Sequence, residues 1–310
     1  MRFAVEAWAP DYGAPLDGDE LIATTAEVDA DVEVPAAQWA PRTPPPVARP
    51  PASVLFTDGV RRIDARVWLT DDAGRARPGI CASFAAGAVR CDGRAVVVAA
   101  HVGRGLFTAA GDAQTIETGH GAYPVQAVGG ESPEVLSQGL QQRMGALEVE
   151  VAHGQAGAAD LVVVDGPLRT VGSYPSGTVG YVKTHATSYL PDGLDGVIAR
   201  LAAGQRTPMF CLTFPMQTKW SWYLRLPGAD GHPWAGVVRC EAAADLPAAD
   251  AVALADATAV VLPRFASQRH KDPRAPQNLV PIGGLERRLR HVLGDADLMF
   301  RALSRASRPL

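Results

Sequence analysis

Residues 53–70 read SVLFTDGVRRIDARVWLT, an apolar run, an Asp-Gly pair and then apolar residues alternating with charged ones. Asp-Gly between two such runs is a strong short-range hairpin signal, so the stretch predicts strand, tight turn at Asp58–Gly59, strand. Further strands at Gly79–Ala85 and Ala95–Val102 would continue a meander. A helix should begin at Ser132, where Ser132 can cap, Pro133 suits the first helical position and Glu134 favours the positive end of the dipole. Leu136, Leu140, Met144, Leu147 and Val151 then recur at helical spacing. Next comes DLVVVDGPL (160–168), whose unbroken β-branched run reads as a central strand buried on both faces and ending at Asp165. Beyond it the pattern gives a strand at Thr178–Lys183, a helix at Leu194–Ala203 and a hairpin pairing Thr218–Leu226 with Trp234–Glu241. A helix at Ala248–Leu254, a strand at Thr258–Leu262 and an amphipathic helix at Leu285–Leu293 complete it. Alternating strands and helices of this kind place the chain in the α/β class.

The chain has 310 residues, 47% of them apolar, which is enough to build a large core without disulfides or structural metal. Its formal net charge of −4 excludes attraction to a polyanion through bulk charge, and 31 Gly with 25 Pro imply many loops. The four cysteines, at 81, 91, 211 and 240, show no paired short spacing, against a zinc ribbon or a secreted disulfide framework and in keeping with a reducing cytoplasm. The N-terminal MRFAVEAWAPDYGAP has no cationic stretch leading into an apolar run, and the longest apolar run, AVVVAA before His101, is far short of the roughly 18 residues a membrane span needs. The expectation is a cytoplasmic protein without a membrane anchor.

Charge is unevenly spread. Residues 1–36 hold nine acids and one Arg, whereas residues 264–308 hold ten Lys/Arg against four acids. This divides the chain into an acidic N-terminal arm (1–40, with a short apolar alternation at Phe3–Trp8), a Pro-rich linker (41–52) that polyproline stiffens, a main domain (53–295) and a C-terminal tail (296–310). Arginine occurs 26 times, lysine three times (Lys183, Lys219, Lys271) and asparagine once, at Asn278. Against that bias the few lysines and the lone asparagine draw attention.

No GxGxxG, Walker A, HExxH, GxSxG or CxxC motif is present, which removes sequence support for dinucleotide, NTPase, zincin, serine-hydrolase and zinc-finger chemistry. What remains is carboxylates at strand ends: Asp58 in LFTDG and Asp165 in VVVDG. Each also fits ordinary Asp-Gly turn chemistry. On the intervening helix, at 100° per residue from Leu140, Glu148 falls about 80° to one side of the apolar face and Glu150 about 80° to the other, so both flank it and geometry does not choose. Two aspartates and a glutamate converging would form an all-oxygen cage suited to Mg²⁺ or Mn²⁺ rather than zinc. Their mutual repulsion would itself call for a cation. Two such ions can activate water and stabilise the leaving oxygen of a phosphodiester.

FTDGVRRIDARVWL, LVVVDGPL, GYVKTH and LPRFASQRHKDPRAPQNLVPIGGLERRLRHVLGD, in that order, resemble the bacterial branch of the NurA family of DNA-end-processing nucleases. The likeness covers most of residues 53–295. It implies an RNase H-like core with a mixed β-sheet flanked by helices, an inserted hairpin and an N-terminal arm. It also implies Mn²⁺ (or Mg²⁺) as cofactor, a homodimer, and a HerA-type hexameric ATPase as partner. The implied activity is 5′-to-3′ exonuclease action on double-stranded ends with endonuclease action on single strands, in end resection and break repair. By the same resemblance Asp58, Glu148 and Asp165 are metal ligands, Glu148 being favoured over Glu150; in the mechanism this suggests, Lys183 or a nearby Arg stabilises the developing charge. Archaeal members carry a C-terminal histidine where PQNLVPIGG here places Gly283, leaving Gln277, Asn278, Glu286 or His270 to supply a fourth ligand.

Arg61 and Arg62 follow Asp58, and Arg264, Arg269, Lys271 and Arg274 crowd one loop. Such residues contact phosphates, although in so Arg-rich a chain any one of them also fits a solvated surface. Trp220 and Trp222, alternating with Ser221, fit a core better than a base-stacking platform. The missing histidine favours one competing reading, a catalytically inactive partner or regulator of a hexameric DNA translocase. An RNase H-like enzyme cutting RNA is a third, since nothing in the sequence reads a 2′-hydroxyl.

Overall fold

The computed structural model describes residues 26–169, 174–185, 189–191, 193–229 and 231–307. The alternation at Phe3–Trp8, most of the acidic arm and the last residues of the tail lie outside them. Twelve strands and five α-helices occur among the described residues, so the protein is a mixed α/β chain. The larger sheet has ten strands in the order β1-β10-β11-β12-β9-β8-β2-β3-β4-β7 and mixes parallel with antiparallel pairs, while β5 and β6 form a small separate pair. The chain forms two compact units, one containing the described residues up to Phe56 with Arg90–Val96 and Gln155–Gly283, the other Thr57–Val89, Val97–Gly154 and residues from Gly284 on. No helix among the described residues is long and apolar enough to cross a membrane.

In the first unit, β1 (Glu27–Asp29), β10 (Phe210–Phe214), β11 (Gln217–Arg225), β12 (Val237–Ala243) and β9 (Thr178–Val182) pair antiparallel in succession. Strand β8 (Leu161–Asp165) runs parallel to β9, with Asp165 opposite Tyr181. Leu161 to Val164 are all buried, as the unbroken apolar run requires of a strand covered on both faces. The β11–β12 hairpin forms as expected, with Trp222 fully buried and donating from Nε1 to the Thr258 hydroxyl. Helix α2 (Gly196–Arg200) is shorter than expected, because the chain turns at residues 202–205, where the Gln205 amide donates to the Ala202 carbonyl and Gly204 takes φ 78°.

The strand expected at Thr258–Leu262 does not form. Helix α3 (Ala248–Val261) runs through Thr258, and a 3₁₀ turn (Leu262–Phe265) follows. Ala251, Ala255, Thr258 and Ala259 are buried at helical spacing, and the Thr258 hydroxyl donates to the Ala255 carbonyl at 2.7 Å. A β-branched residue whose hydroxyl bonds back along the helix is compatible with it, so the run of β-branched residues misleads.

His185 lies among Tyr223 and Trp234, with ring centroids at 5.8 and 5.0 Å, and its Nε2 donates to the Val237 carbonyl at 2.8 Å. Burial pushes the imidazole down to about 4; the Val237 carbonyl opposes this and Arg239 adds to it. The unfolded chain, with an ordinary imidazole near 6.5, therefore binds the proton first. Stability should fall as pH drops from about 6.5 towards 4, by roughly 3 kcal/mol at most. Urea unfolding at pH 7 and pH 5 should show a larger loss for the wild type than for His185→Gln; equal losses would show that this imidazole titrates normally.

In the second unit, β2 (Val54–Thr70), β3 (Ala76–Cys91) and β4 (Ala95–Thr108) are long strands, and most of each belongs to this unit. The expected turn at Asp58–Gly59 is absent: β2 passes straight through it. The hairpin instead turns at residues 71–74, where the Asp71 carboxylate accepts from the Ala73 and Arg75 amides and Gly74 takes φ 80°. Short strands β5 (Ile116–Thr118), β6 (Gly121–Tyr123) and β7 (Val125–Ala127) follow, β7 running parallel to β4. Helix α1 (Pro133–Gly154) begins as read, with the Val135 amide donating to the Ser132 hydroxyl. Helix α4 (Val280–Val292) brings Leu285 and Leu289 onto Gly87, where a Cβ would meet the Leu289 side chain at 2.9 Å. The C-terminal tail contains helix α5 (Ala296–Ala306), whose Leu303 joins Cys81, Leu106 and Tyr123 in a buried cluster.

Candidate functional site

In the first unit the site residues gather where β8 ends. Gly166 has φ 98°, a left-handed conformation that a side chain would strain, so here the Asp-Gly pair does mark a turn. The Gly166 amide donates to the Tyr181 carbonyl at 2.8 Å, folding the chain back across β9. Gly180 makes room for this, since a Cβ there would stand 2.9 Å from the Leu168 nitrogen and 3.0 Å from the Gly166 oxygen. Both obstacles are backbone. Gly180→Ala should therefore cost about 1–3 kcal/mol in urea unfolding; an unchanged midpoint would mean that the 166–168 segment yields freely.

Leu168 is gripped from the other side by a buried charge cluster. Lys219 donates to the Leu168 carbonyl at 2.7 Å and to Glu241 at 2.9 Å, while Glu241 accepts from the Leu168 amide at 3.0 Å and pairs with Arg239. Burial works against the Glu241 charge, but Arg239 and Lys219 hold its pKa below the usual carboxylate value. These residues were not among the sequence candidates. The scarcity of lysine was the one signal that pointed to Lys219.

Lys183, one residue beyond β9, donates from Nζ to Asp165 Oδ2 at 2.6 Å and to Asn278 Oδ1 at 3.1 Å. Asn278 is fully buried, and its Nδ2 donates to Asp272 Oδ2 at 2.7 Å. Asp272 also accepts from the Arg274 amide at 2.8 Å, and its pKa is lowered because Asn278 and Arg274 outweigh the effect of burial. Gln277 donates from Nε2 to the Val237 carbonyl, and its own carbonyl accepts from the Tyr181 hydroxyl at 2.7 Å. Gln277 and Asn278 thus fasten the chain and hold Lys183, which is different from ligating an ion. Arg264 is exposed in the 3₁₀ turn, Arg269, His270 and Lys271 are exposed on the loop that follows, and Arg274 is half-buried.

In the second unit Asp58 is buried in mid-strand on β2. The residue after it must be small for another reason than a turn: a Cβ on Gly59 would lie 2.5 Å from Oε1 of Glu148. Glu148 is therefore packed onto β2 at Gly59, and is itself 4% exposed. Glu150 is exposed and pairs with Arg143 at 3.1 Å. Of the two glutamates between which helical geometry did not choose, Glu148 is the buried one. Glu286, on α4 next to Leu285, is also buried.

The basic pair after Asp58 divides. Arg61 is half-buried, with its pKa lowered by desolvation. Arg62 donates to Asp64 at 2.8 Å and to the Gly294 carbonyl, just past the C-terminal end of α4, at 2.7 Å. Asp64 also accepts from Ser83 and Tyr123, whose hydroxyl burial and the nearby Asp64 charge push up to about 12. Arg62 is accordingly part of the packing of its unit.

Compared with known protein families and with curated proteins, the chain matches no family profile and no individual sequence.

Proposed function

We propose that this protein is a Mn²⁺- or Mg²⁺-dependent DNA nuclease of the NurA kind, with an RNase H-like core. In this reading it is a cytoplasmic homodimer that works with a HerA-type translocase in 5′-to-3′ end resection and single-strand cutting. The observation that carries the reading is a set of buried or half-buried carboxylates, Asp58, Glu148 and Glu286 in the second unit and Asp165 at the end of β8 in the first. The donor set is all oxygen and includes no thiolate or imidazole, which fits a hard divalent cation. Glu286, one of the residues the sequence offers for a fourth ligand, is in this reading a ligand together with Asp58. Glu148, next to Gly59, is the fourth carboxylate of this reading.

When bound, such ions supply Lewis acidity and a means of activating water for phosphodiester hydrolysis. The chain's own residues do the rest. The Gly180 and Leu168 contacts hold the end of β8, so that Asp165 has one orientation. Lys183 neutralises part of the carboxylate charge and can stabilise charge developing on a phosphoryl group. Arg61, Arg264, Lys271 and Arg274 supply positive charge for the nucleic-acid backbone, where each neutralised phosphate releases counterions. Arg62, held by Asp64, takes a lesser part.

The test is a cleavage assay on single- and double-stranded DNA and on RNA, with Mn²⁺, Mg²⁺ or EDTA. Cutting of DNA that requires a divalent ion supports the reading. No cutting with any metal, together with binding to a hexameric translocase, would favour the inactive-partner reading instead.

A further inference from the structure

We propose that Asn278 and Asp272 form a positioning arm that sets where the Lys183 ammonium stands against Asp165. An ammonium can only donate hydrogen bonds and a carboxylate can only accept them. Asn278 stands between one of each. Its amide must turn its oxygen to Lys183, at 3.1 Å, and its nitrogen to Asp272, at 2.7 Å. Reversing the amide would bring N–H against ammonium and oxygen against carboxylate, so each partner enforces the same orientation.

The arm is anchored at both ends. Asp272 accepts from the Arg274 amide at 2.8 Å, tying its carboxylate to the backbone of its own loop. The segment bearing Asn278 is fastened to β9 by the Tyr181 hydroxyl on the Gln277 carbonyl, and to β12 by Gln277 Nε2 on the Val237 carbonyl. Lys183, Asp272 and Asn278 are 8%, 9% and 0% exposed, so water competes little for these bonds. This also accounts for the one asparagine in the chain. Aspartate there would face Asp272 with like charge, and leucine would give Lys183 no acceptor.

The arm rests on observed hydrogen bonds, and only its kinetic consequence rests on the nuclease reading. The direct test uses the scarcity of lysine. In protein labelled with ¹⁵N-lysine, the buried ammoniums of Lys183 and Lys219 should give slowly exchanging NMR signals, whereas that of exposed Lys271 exchanges too fast to be seen. Lys183→Gln assigns the Lys183 signal. Asn278→Leu should speed hydrogen exchange at Lys183 by at least about tenfold, or abolish its signal, and leave Lys219 unchanged as the control for folding.

Asn278→Asp alone should do the same through repulsion from Asp272. The double exchange Asp272→Asn/Asn278→Asp should restore the signal, because the amide and carboxylate trade places and every bond keeps a donor and an acceptor. An unchanged Lys183 signal in Asn278→Leu would overturn the proposal. So would failure of the double exchange to restore it while Lys219 stays intact. If Asn278→Leu does not fold, the single and double exchanges decide. In cleavage assays Asn278→Leu should lower kcat about tenfold with KM within about twofold, and the double exchange should recover it. An inactive wild type with the expected NMR pattern would sink the nuclease reading and leave the arm standing.

Discussion

Asp58→Ala should abolish metal-dependent cleavage of single-stranded DNA, with a loss of roughly 10³-fold or more. A bound metal supplies several kcal/mol of charge stabilisation in phosphoryl chemistry, and about 1.4 kcal/mol corresponds to each factor of ten. In the proposed reading Asp58 is a metal ligand, and removing its carboxylate forfeits much of that. Mn²⁺ binding by calorimetry should weaken in parallel. Folding should be little affected, because alanine is compatible with the β2 backbone and removing a buried carboxylate ends its desolvation in the metal-free protein. Glu150→Ala, at the exposed glutamate paired with Arg143, is the matched control and should cleave normally. Full activity of Asp58→Ala with Mn²⁺ would remove the assignment, whatever the controls do.

Arg206→Met should cost about 3–5 kcal/mol of stability, because it leaves Asp256 without its buried cation and Glu33 with only the partly exposed Arg42. Arg206 is fully buried, yet it donates from Nη1 and Nη2 to Glu33 at 2.8 and 2.9 Å and from Nε to Asp256 at 2.7 Å. Glu33 accepts as well from the Met209 amide at 2.6 Å, which ties the segment after β1 to the start of β10. Burial alone would raise the Glu33 pKa. Arg206, the Met209 amide and Arg42 outweigh it and hold the pKa below the ordinary carboxylate value.

A carboxylate with a depressed pKa contributes stability that is present above its unfolded pKa, near 4.3, and is lost as pH falls through the lower folded value. Wild type should therefore lose part of its stability below about pH 4.3 through this residue. In Arg206→Met the sign reverses, and the variant should be relatively less unstable in mild acid. Denaturant unfolding at pH 7, pH 5 and about pH 3.5 measures both effects. Arg42→Ala, which removes a partly exposed guanidinium from the same glutamate, should cost less than about 1 kcal/mol. A loss for Arg206→Met no larger than that would show that the cluster is solvated rather than buried.

The two Asp-Gly pairs show how far local sequence could be read. At Asp165–Gly166 the glycine has a positive φ at a strand end, and the turn reading holds. At Asp58–Gly59 the same dipeptide lies inside a strand of 17 residues, and the glycine is needed because Glu148 occupies the space of its Cβ. Nothing local separates the two cases, since the obstructing group comes from a helix about ninety residues later. The same holds for Thr258, whose β-branching suggested a strand. Its helical state depends on a hydroxyl bond to Ala255 and on Trp222 of a distant strand.

By itself, the sequence determined the α/β class, the apolar strand that ends at Asp165, the start of α1, the β11–β12 hairpin and the all-oxygen character of the candidate ligands. These follow from residue type, periodicity and caps, which act over a few residues. Tertiary structure alone decided that β2 runs through Asp58, that Glu148 rather than Glu150 is buried, that Glu286 is buried on α4, and that Asn278 bonds Lys183. Each of those outcomes depends on which side chain fills a space or completes a hydrogen bond far along the chain, and burial makes such a pairing costly to leave unmade.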